Sequence, residues 1–364
     1  MRLPSGIRSR QVAGVNGLSM HVLEAGDPRA PVLMLLHGFP ELAFSWRKLM
    51  VPLAALGYHV VAPDQRGFGQ TTGQDCGYDV DLAPFRMTGL ATDMVALLHA
   101  LGHARAAAVI GHDFGSLVAG WCALARPDLF GAVAMMSAPF TGPAPLPRTM
   151  RGSGPPAPDI HAALAALPRP RKHYAAHYST RGANAEMMAC PQGLGAFLAA
   201  YCHVKSGDWP GNAPHPLAGW TAEALAEMPT YYIMDLAQGM AETVAPFMPE
   251  QLPDWLTAQE LAVYTEEFGR TGFQGGLNWY RARHEAQVHG ERLFAGRRIE
   301  VPAVFIAGAR DWGIHQAPGG LEAMARLCRS FAGVRLIDGA GHWVQQERPE
   351  AVLAELTGFL GQIG

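Results

Sequence analysis

The sequence predicts an α/β protein built on a mostly parallel sheet that is interrupted once by a helical insertion. Short apolar runs recur with helical segments between them, and they show little polar alternation: PVLMLLHG, HVVAPD, AAAVIGHD, AVAMMSAP, PAVFIAGARD and VRLIDGAGHW. Strands of this kind are typical of parallel sheets that helices cover on both faces. The last two runs follow the first four only after a long gap, and this gap predicts the insertion.

Changes in composition mark the two ends of the insertion. Pro and Gly punctuate APFTGPAPLPRTMRGSGPPAP, where the strand pattern stops, and the pattern resumes after ERLFAGRRIEVPAV. We therefore predict a first core part over residues 1–139, a mainly helical cap over 140–292 and a second core part over 293–364. Helical patterns such as LGAFLAAYCHV favour a helical cap. Its point of insertion predicts a position over the carboxyl ends of the strands, where open α/β sheets bind ligands.

Composition argues against several classes of partner. The 364 residues are 49% hydrophobic, enough for a sizeable core, and the net charge of -3 comes without any basic run. We therefore expect neither nucleic acid nor a membrane as partner. No signal-peptide core and no membrane-length apolar segment is found, so we expect a cytoplasmic protein. Five scattered cysteines without a C-x-x-C pair predict reduced thiols and no metal site. The oligomeric state stays open, with a homodimer as one option.

The stretch AAAVIGHDFGSLVAGWCALA raises the central chemical question. It predicts a strand from Ala106 to Ile110, a tight turn, and a helix from Ser116 to Ala125. Esterases with this strand-turn-helix arrangement carry a nucleophilic serine at the turn, where this chain has Asp113. A carboxylate that attacked an ester carbonyl would form an anhydride, whereas attack on an sp³ carbon forms an ordinary ester that water can hydrolyse. Asp113 therefore predicts an electrophilic alkyl substrate, either an epoxide or an alkyl halide.

Two further strand ends supply the remaining groups of a catalytic triad. Asp311 follows the run PAVFIAGAR, and His342 follows VRLIDGAG. The chain order of nucleophile, acid and base is that of α/β-hydrolase enzymes. We expect the backbone amides of Phe39 and Phe114 to form an oxyanion hole. This chemistry requires no cofactor.

Several motifs resemble those of the soluble epoxide hydrolases, a family with the α/β-hydrolase fold. They are HGFPELAFSWRKLM, GYHVVAPDQRGFGQT, GHDFGSLVAG, GFQGGLNWYR and DGAGHWVQQERPE, and the likeness spans nearly the whole chain. HGFP and GHW also occur in dehalogenases, so the motif GGLNWYR of the cap is the more specific one. The resemblance implies hydrolysis of a small hydrophobic epoxide to a diol.

The resemblance also implies roles for tyrosines of the cap. Tyr280 in GGLNWYR matches the tyrosine that assists ring opening in the family. Tyr231, counted back from the Gly-x-Ala-Glu stretch at Gly239, matches the second such tyrosine, and Tyr232 takes its place if the register is shifted by one residue. A phenol is protonated at neutral pH and is more acidic than the alcohol that forms, so it can assist the leaving oxygen.

Other residues are expected to line an apolar substrate pocket. They are His37, Pro40, Trp46, Tyr232, Trp312 and Trp343. Two alternatives remain open from sequence: a haloalkane or haloacid dehalogenase that uses the same nucleophile, and a receptor that binds a small ligand without turnover. Phe114 stands where dehalogenases carry a halide-binding Trp or an Arg, and this departure disfavours the first alternative. The intact Asp113, Asp311 and His342 disfavour the second.

Overall fold

A sheet of eight strands crosses the core of the protein. The computed structural model describes residues 3–146, 159–285 and 290–363. The strands of this sheet are β1 (Arg8–Val15), β2 (Leu18–Ala25), β3 (Val32–Leu36), β4 (His59–Pro63), β5 (Ala106–His112), β6 (Val133–Met136), β9 (Ile299–Gly308) and β10 (Cys328–Ile337), and the two intervening strands belong to the insertion. Their order is β1-β2-β4-β3-β5-β6-β9-β10, and from β4 to β10 all neighbours are parallel. The α/β-hydrolase fold class expected from the sequence is confirmed.

The first two strands form an antiparallel hairpin that the apolar-run pattern did not predict. Val15 pairs with Leu18 across a two-residue turn made of Asn16 and Gly17, whose φ angles are 49° and 82°. Asn-Gly is the preferred sequence for such a turn because both positions need positive φ. The hairpin extends the sheet through the antiparallel pairing of β2 with β4.

Helices cover both faces of the sheet, and the side chains of alternate residues in β3 pack on opposite faces. The helices of the core are α1 (Arg47–Ala55), α2 (Met87–Ala100), α3 (Phe114–Ala125), α12 (Gly320–Leu327), α13 (Val344–Glu347) and α14 (Pro349–Leu360). Leu33 and Leu35 belong to the apolar cluster that α1 and α14 cover, whereas Val32, Met34 and Leu36 belong to the larger cluster with α2, α3 and the insertion. This division explains why the strand runs lack polar alternation.

The insertion lies between β6 and β9 and is mainly helical. It contains α4 (Ile160–Ala165), α5 (Tyr174–Tyr178), α6 (Ala183–Met188), α7 (Leu194–Lys205), α8 (Ala222–Leu225), α9 (Met240–Val244), α10 (Ala258–Thr271) and α11 (Gln274–Glu285). A short antiparallel pair, β7 (Arg171–His173) and β8 (Ile233–Asp235), was not predicted. Most of the Pro- and Gly-rich stretch that opens the insertion lies outside the described residues. The three-segment division with its boundaries at 139 and 292 stays a prediction.

No helix in the described ranges is long and apolar enough to cross a bilayer.

Candidate active site

Asp113 lies on a sharp turn between β5 and α3. Its backbone has φ 54° and ψ -120°, a conformation that a residue with a side chain rarely adopts. The flanking glycines allow the turn, because a Cβ on Gly111 would collide with the backbone of Gly115, and one on Gly115 would collide with that of Leu36. The GHDFG sequence therefore packs the turn tightly against β3 and directs the Asp113 carboxylate outward from the sheet.

The imidazole of His342 lies between two buried carboxylates. Its Nδ1 is 3.1 and 3.2 Å from the two oxygens of Asp311, and its Nε2 is 3.5 Å from Asp113 Oδ2. Asp311 is fixed in turn by the Gly313 N–H, which donates to its Oδ1 at 2.6 Å. The structure thus brings together the three side chains that follow β5, β9 and β10.

The loop that carries His342 is held on both sides by Glu347. Its Oε2 accepts hydrogen bonds from the N–H groups of Gly341 (2.9 Å) and Gly207 (2.8 Å), and its Oε1 accepts one from Trp343 N–H (2.9 Å). One carboxylate therefore fixes both neighbours of the base and joins them to the cap loop after α7.

The backbone of His342 itself is also fully engaged. Its N–H donates to the carbonyl oxygen of Lys205 at 2.8 Å, and its own carbonyl accepts from His112 Nε2 at 2.7 Å and from Ser137 Oγ at 3.1 Å. The other ring nitrogen of His112 contacts Glu41 Oε2 at 2.6 Å. Buried groups from the core and the cap thus fix the position of the imidazole.

The charges of the three groups are strongly linked. Burial alone would raise the pKa of Asp113, but the hydrogen bond and charge of His342 lower it well below its usual range. Burial and the Lys205 ammonium lower the pKa of His342, but the carboxylates of Asp311 and Asp113 raise it by more. The net effect is a pKa of about 9. The arrangement therefore favours an ionised Asp113, the form that a nucleophile needs.

A backbone amide holds one oxygen of the Asp113 carboxylate. The Phe39 N–H donates to Asp113 Oδ1 at 3.0 Å, and the peptide bond between Phe39 and Pro40 is cis. Gly38 lets this loop approach closely, because a Cβ there would collide with the Asp113 side chain. Oδ1 is thus bound, while Oδ2 faces His342. Phe114, the second predicted amide donor, is the first residue of α3, and its role in the oxyanion hole stays a prediction.

Two buried tyrosines of the cap lie near the residues that flank Asp113. The rings of Tyr280 and Tyr174 have centroids 5.8 Å apart, and Tyr280 packs edge-on against Phe39 (5.5 Å) and Phe114 (4.6 Å). Burial and the charge of Asp113 raise the pKa of both phenols. Tyr174 also donates a hydrogen bond to Gln316 Oε1 at 3.2 Å. Both hydroxyls are therefore protonated donors in the field of the nucleophile.

Tyr231, predicted as the second ring-opening tyrosine, has a different environment. Its hydroxyl donates to Asn212 Oδ1 at 2.5 Å, and Asn212 in turn donates to the carbonyls of Val204 and Ser206. Burial, Asp311 and Tyr201 raise its pKa, without a contribution from Asp113. The assignment of Tyr231 is therefore corrected: its hydroxyl is used in holding the loop after α7.

Comparison with known proteins places this geometry in a family. A family model described as alpha/beta hydrolase fold matches residues 31–159. Epoxide hydrolase A of Mycobacterium tuberculosis is 36% identical over 360 residues, which cover 98% of each chain. The chain belongs to the epoxide hydrolase family. Epoxide hydrolase B of the same organism is 32% identical over 359 residues, covering 96% of this chain and 98% of that relative.

Solved structures of epoxide hydrolases superpose on the whole chain. One from an endophytic Streptomyces gives a TM-score of 0.79 at 30% identity, covering 99% of this chain and 97% of its own. Epoxide hydrolase A from Mycobacterium thermoresistibile gives 0.74 at 36% identity, covering 98% of both chains. The resemblance drawn from the motifs is confirmed at the level of the family.

In this epoxide hydrolase family member, a cavity of about 370 Å³ opens beside the tyrosine pair. Tyr174 and Tyr280 line it together with Leu117, Trp220 and Gln316. Part of its wall comes from α3, directly after the nucleophile, and the rest comes mainly from the cap and from the loop after Asp311. It is large enough for a small organic molecule.

The residues predicted as pocket wall do not line this cavity. Trp46 is fully buried in the cluster under α1 and α14, on the opposite face of the sheet. His37 is buried as well, and its Nε2 accepts the N–H of Gln65. The prediction for Trp46 is therefore wrong, because an aromatic ring near a motif can face either side of a strand-end loop. His37 as a pocket residue stays a prediction.

The other four predicted wall residues lie closer to the triad but outside the lining. Trp343 donates a hydrogen bond from its indole N–H to the Cys202 carbonyl. Trp343 and Pro40 both line a separate small cavity. Trp312 packs against His215, with ring centroids 4.9 Å apart. Tyr232 is buried, and its hydroxyl has no hydrogen-bond partner among the described residues. These four residues therefore lie outside the lining of the cavity beside Tyr174 and Tyr280.

Sequence reasoning missed Tyr174, Glu347 and Lys205. A signal for Tyr174 was present: it precedes Gly182 by eight residues, the same separation as between Tyr231 and Gly239. Ala-Glu begins three residues after Gly182 and two residues after Gly239. Glu347 and Lys205 carry no such signal, because their roles depend on contacts between the core and the cap.

Proposed function

We propose that this protein hydrolyses a small, largely hydrophobic epoxide to a vicinal diol through a covalent ester on Asp113. One observation carries the proposal: the Phe39 amide binds Oδ1 of the buried Asp113 carboxylate, and the ring of Tyr280 packs against both Phe39 and Phe114, which flank that carboxylate. A carboxylate nucleophile with phenol donors nearby suits the opening of a strained ring whose leaving oxygen stays on the substrate. The family membership supports the same reaction.

In the first step, Asp113 Oδ2 attacks a ring carbon and the carbon–oxygen bond of the epoxide breaks. The developing alkoxide receives hydrogen bonds from Tyr280 and Tyr174 and takes a proton from one of them. We assign Tyr174, in place of Tyr231, because its hydroxyl lies beside Tyr280 in the cavity. The product is a hydroxyalkyl ester whose carbonyl oxygen is Oδ1.

In the second step, water hydrolyses this ester. His342, oriented by Asp311, accepts a proton from the water as its oxygen attacks the Asp113 carbonyl carbon. Negative charge develops on Oδ1, which the Phe39 amide already contacts, and we assign the Phe114 amide as second donor at the start of α3. Cleavage of the ester bond releases the diol, whose new hydroxyl takes the proton held by His342. The second water proton leaves the Asp113 carboxyl group and replaces the one lost by the ring-opening tyrosine, which restores both the carboxylate and the phenol. No cofactor or metal takes part in this scheme.

The covalent intermediate provides the decisive experiment. His342→Gln protein is exposed separately to a small epoxide and a haloalkane, and its intact mass is measured. We expect an added mass equal to the whole epoxide, mapped by peptide analysis to Asp113, because loss of the base leaves the ester unhydrolysed. Asp113→Asn protein is the matched control and should show no adduct.

Two other outcomes would contradict the proposal. An alkyl adduct that forms only from haloalkanes would identify a dehalogenase. The absence of any adduct, together with unchanged binding of a ligand by Asp113→Asn protein, would favour a receptor.

A further inference from the structure

Lys205 is a buried cation that the mechanism above does not use. It is the last residue of α7 and is only 4% exposed. Its Nζ lies 5.1 to 5.4 Å from the ring centroids of Tyr232, Tyr201 and Trp343. In the described part of the chain we find neither a hydrogen bond nor an ion pair at Nζ. A buried ammonium held mainly by aromatic faces is rare, because desolvation disfavours the charge.

The charges that surround Lys205 come from the catalytic groups. Burial lowers its pKa, while Asp113, Asp311 and Glu41 act in the opposite direction. The backbone carbonyl of Lys205 accepts the His342 N–H at 2.8 Å, which ties the end of α7 to the loop of the base. The ammonium itself lies 5.4 Å from the ring centroid of Trp343, and that centroid is 4.8 Å from the centroid of the His342 ring, so the cation is near the base.

His342 faces charged or titratable groups from several elements. Asp113 precedes α3, Asp311 follows β9, and Lys205 ends α7; His112 at the end of β5 has its ring centroid 5.0 Å from that of His342. His112 is paired with Glu41 at 2.6 Å. Among these groups, Lys205 is the cation without an acidic partner of its own in the described residues.

We propose that Lys205 is a positioning residue whose ammonium charge keeps His342 unprotonated in the ester intermediate. The proposal deepens the function proposed above and rests on it. In the resting enzyme, two carboxylates flank His342 and favour its protonated form. Esterification of Asp113 removes one of these charges, whereas Lys205 remains, and the balance shifts toward the neutral imidazole when a base is required.

The protonation state of His342 matters in the hydrolysis of the ester. The water oxygen bonds to the ester carbonyl carbon while one water proton moves to His342 Nε2, so only a neutral imidazole can serve. The acyl carbon–oxygen bond of the ester then breaks, and the departing alkoxide takes that proton from His342. The new Asp113 carboxyl group gives up the second water proton, which replaces the proton lost by the ring-opening tyrosine, and Asp113 regains its negative charge. A fixed cation near the imidazole lowers the pH at which half of the intermediate carries a competent base.

The test is the pH dependence of ester hydrolysis in single-turnover rapid-quench experiments on the full chain. The rate of ester hydrolysis should fall at low pH, where His342 becomes protonated. We expect Lys205→Met to move the midpoint of this fall to a pH about one unit higher, and to make hydrolysis about tenfold slower at pH values below the midpoint. Lys205→Arg keeps the charge and should keep the wild-type midpoint. Identical pH profiles for the wild type and Lys205→Met would overturn the proposal. An equal shift in Lys205→Met and Lys205→Arg would also overturn it, because it would indicate a structural role for the side chain.

A second measurement covers the case in which Lys205→Met does not fold. In Asp113→Asn protein, which mimics the uncharged ester, NMR titration of His342 should give a lower pKa than in the same protein with Lys205→Gln. Equal pKa values would refute the role of Lys205. Failure of His342→Gln to form any ester would instead refute the proposed function, so the two failures are distinguishable.

Discussion

Replacement of Tyr174 by Phe tests the assignment that differs most from the sequence-based prediction. The substitution removes one hydroxyl and leaves the ring contacts with Tyr178 and Tyr280 in place. Loss of one donor to a developing oxyanion costs on the order of 10² to 10³ in rate, roughly 3 to 4 kcal/mol. Because Tyr280 still contacts the leaving oxygen, we expect Tyr174→Phe to slow ester formation about 10²-fold.

The assay must isolate ester formation from hydrolysis. Stopped-flow tryptophan fluorescence or rapid-quench mass analysis under single-turnover conditions measures that step directly. Tyr231→Phe is the matched control: it removes the 2.5 Å hydrogen bond to Asn212, so it should cost about 1 kcal/mol of stability and leave ester formation within about threefold. The reasoning is refuted if Tyr231→Phe abolishes ester formation while Tyr174→Phe retains it.

Two further predictions concern the groups around the base. Asp311→Asn should slow ester hydrolysis by about 10³ to 10⁴, so that the ester accumulates in mass spectra, and it should lower the pKa of His342, because Asp311 raises that pKa in the wild type. Glu347→Gln replaces a carboxylate that accepts three N–H groups; we expect a loss of about 2 to 4 kcal/mol in the free energy of unfolding, measured by denaturant titration, against about 0.5 kcal/mol or less for the exposed Glu350→Gln.

The sequence carried the most information about residues at the ends of strands. Asp113, Asp311 and His342 each follow a buried apolar run, and parallel strands end at the same edge of a sheet. Their proximity therefore follows from topology, and in the structure the imidazole of His342 lies 3.1 Å from Asp311 and 3.5 Å from Asp113. The Asn-Gly pair also predicts the turn of the first hairpin, but a search for apolar runs does not detect it.

Residues of the cap were predictable only in part. Tyr280 was found from a specific motif. The second tyrosine was counted back from the Gly-x-Ala-Glu stretch at Gly239, and a similar Gly-x-x-Ala-Glu stretch follows Tyr174 at the same distance. Only packing distinguishes them, since one hydroxyl lies in the cavity and the other bonds Asn212. The misplaced Trp46 has a similar cause, because composition does not determine which face of the sheet a ring covers.

An aspartate nucleophile has an electrostatic consequence that a serine nucleophile lacks. With serine, the histidine has one carboxylate beside it, whereas here His342 lies between Asp113 and Asp311, and the resting charge distribution favours the imidazolium. In the proposed cycle, that form stabilises the ionised Asp113 for attack on the epoxide, but it cannot accept a proton from water. The charge lost when Asp113 becomes an ester would switch His342 between these two roles, and the fixed cation that we propose for Lys205 would complete the switch. Lys205 belongs to the cap, so the proposal gives the cap a part in the hydrolytic step, and it predicts that variants of α7 affect ester hydrolysis without contacting the substrate.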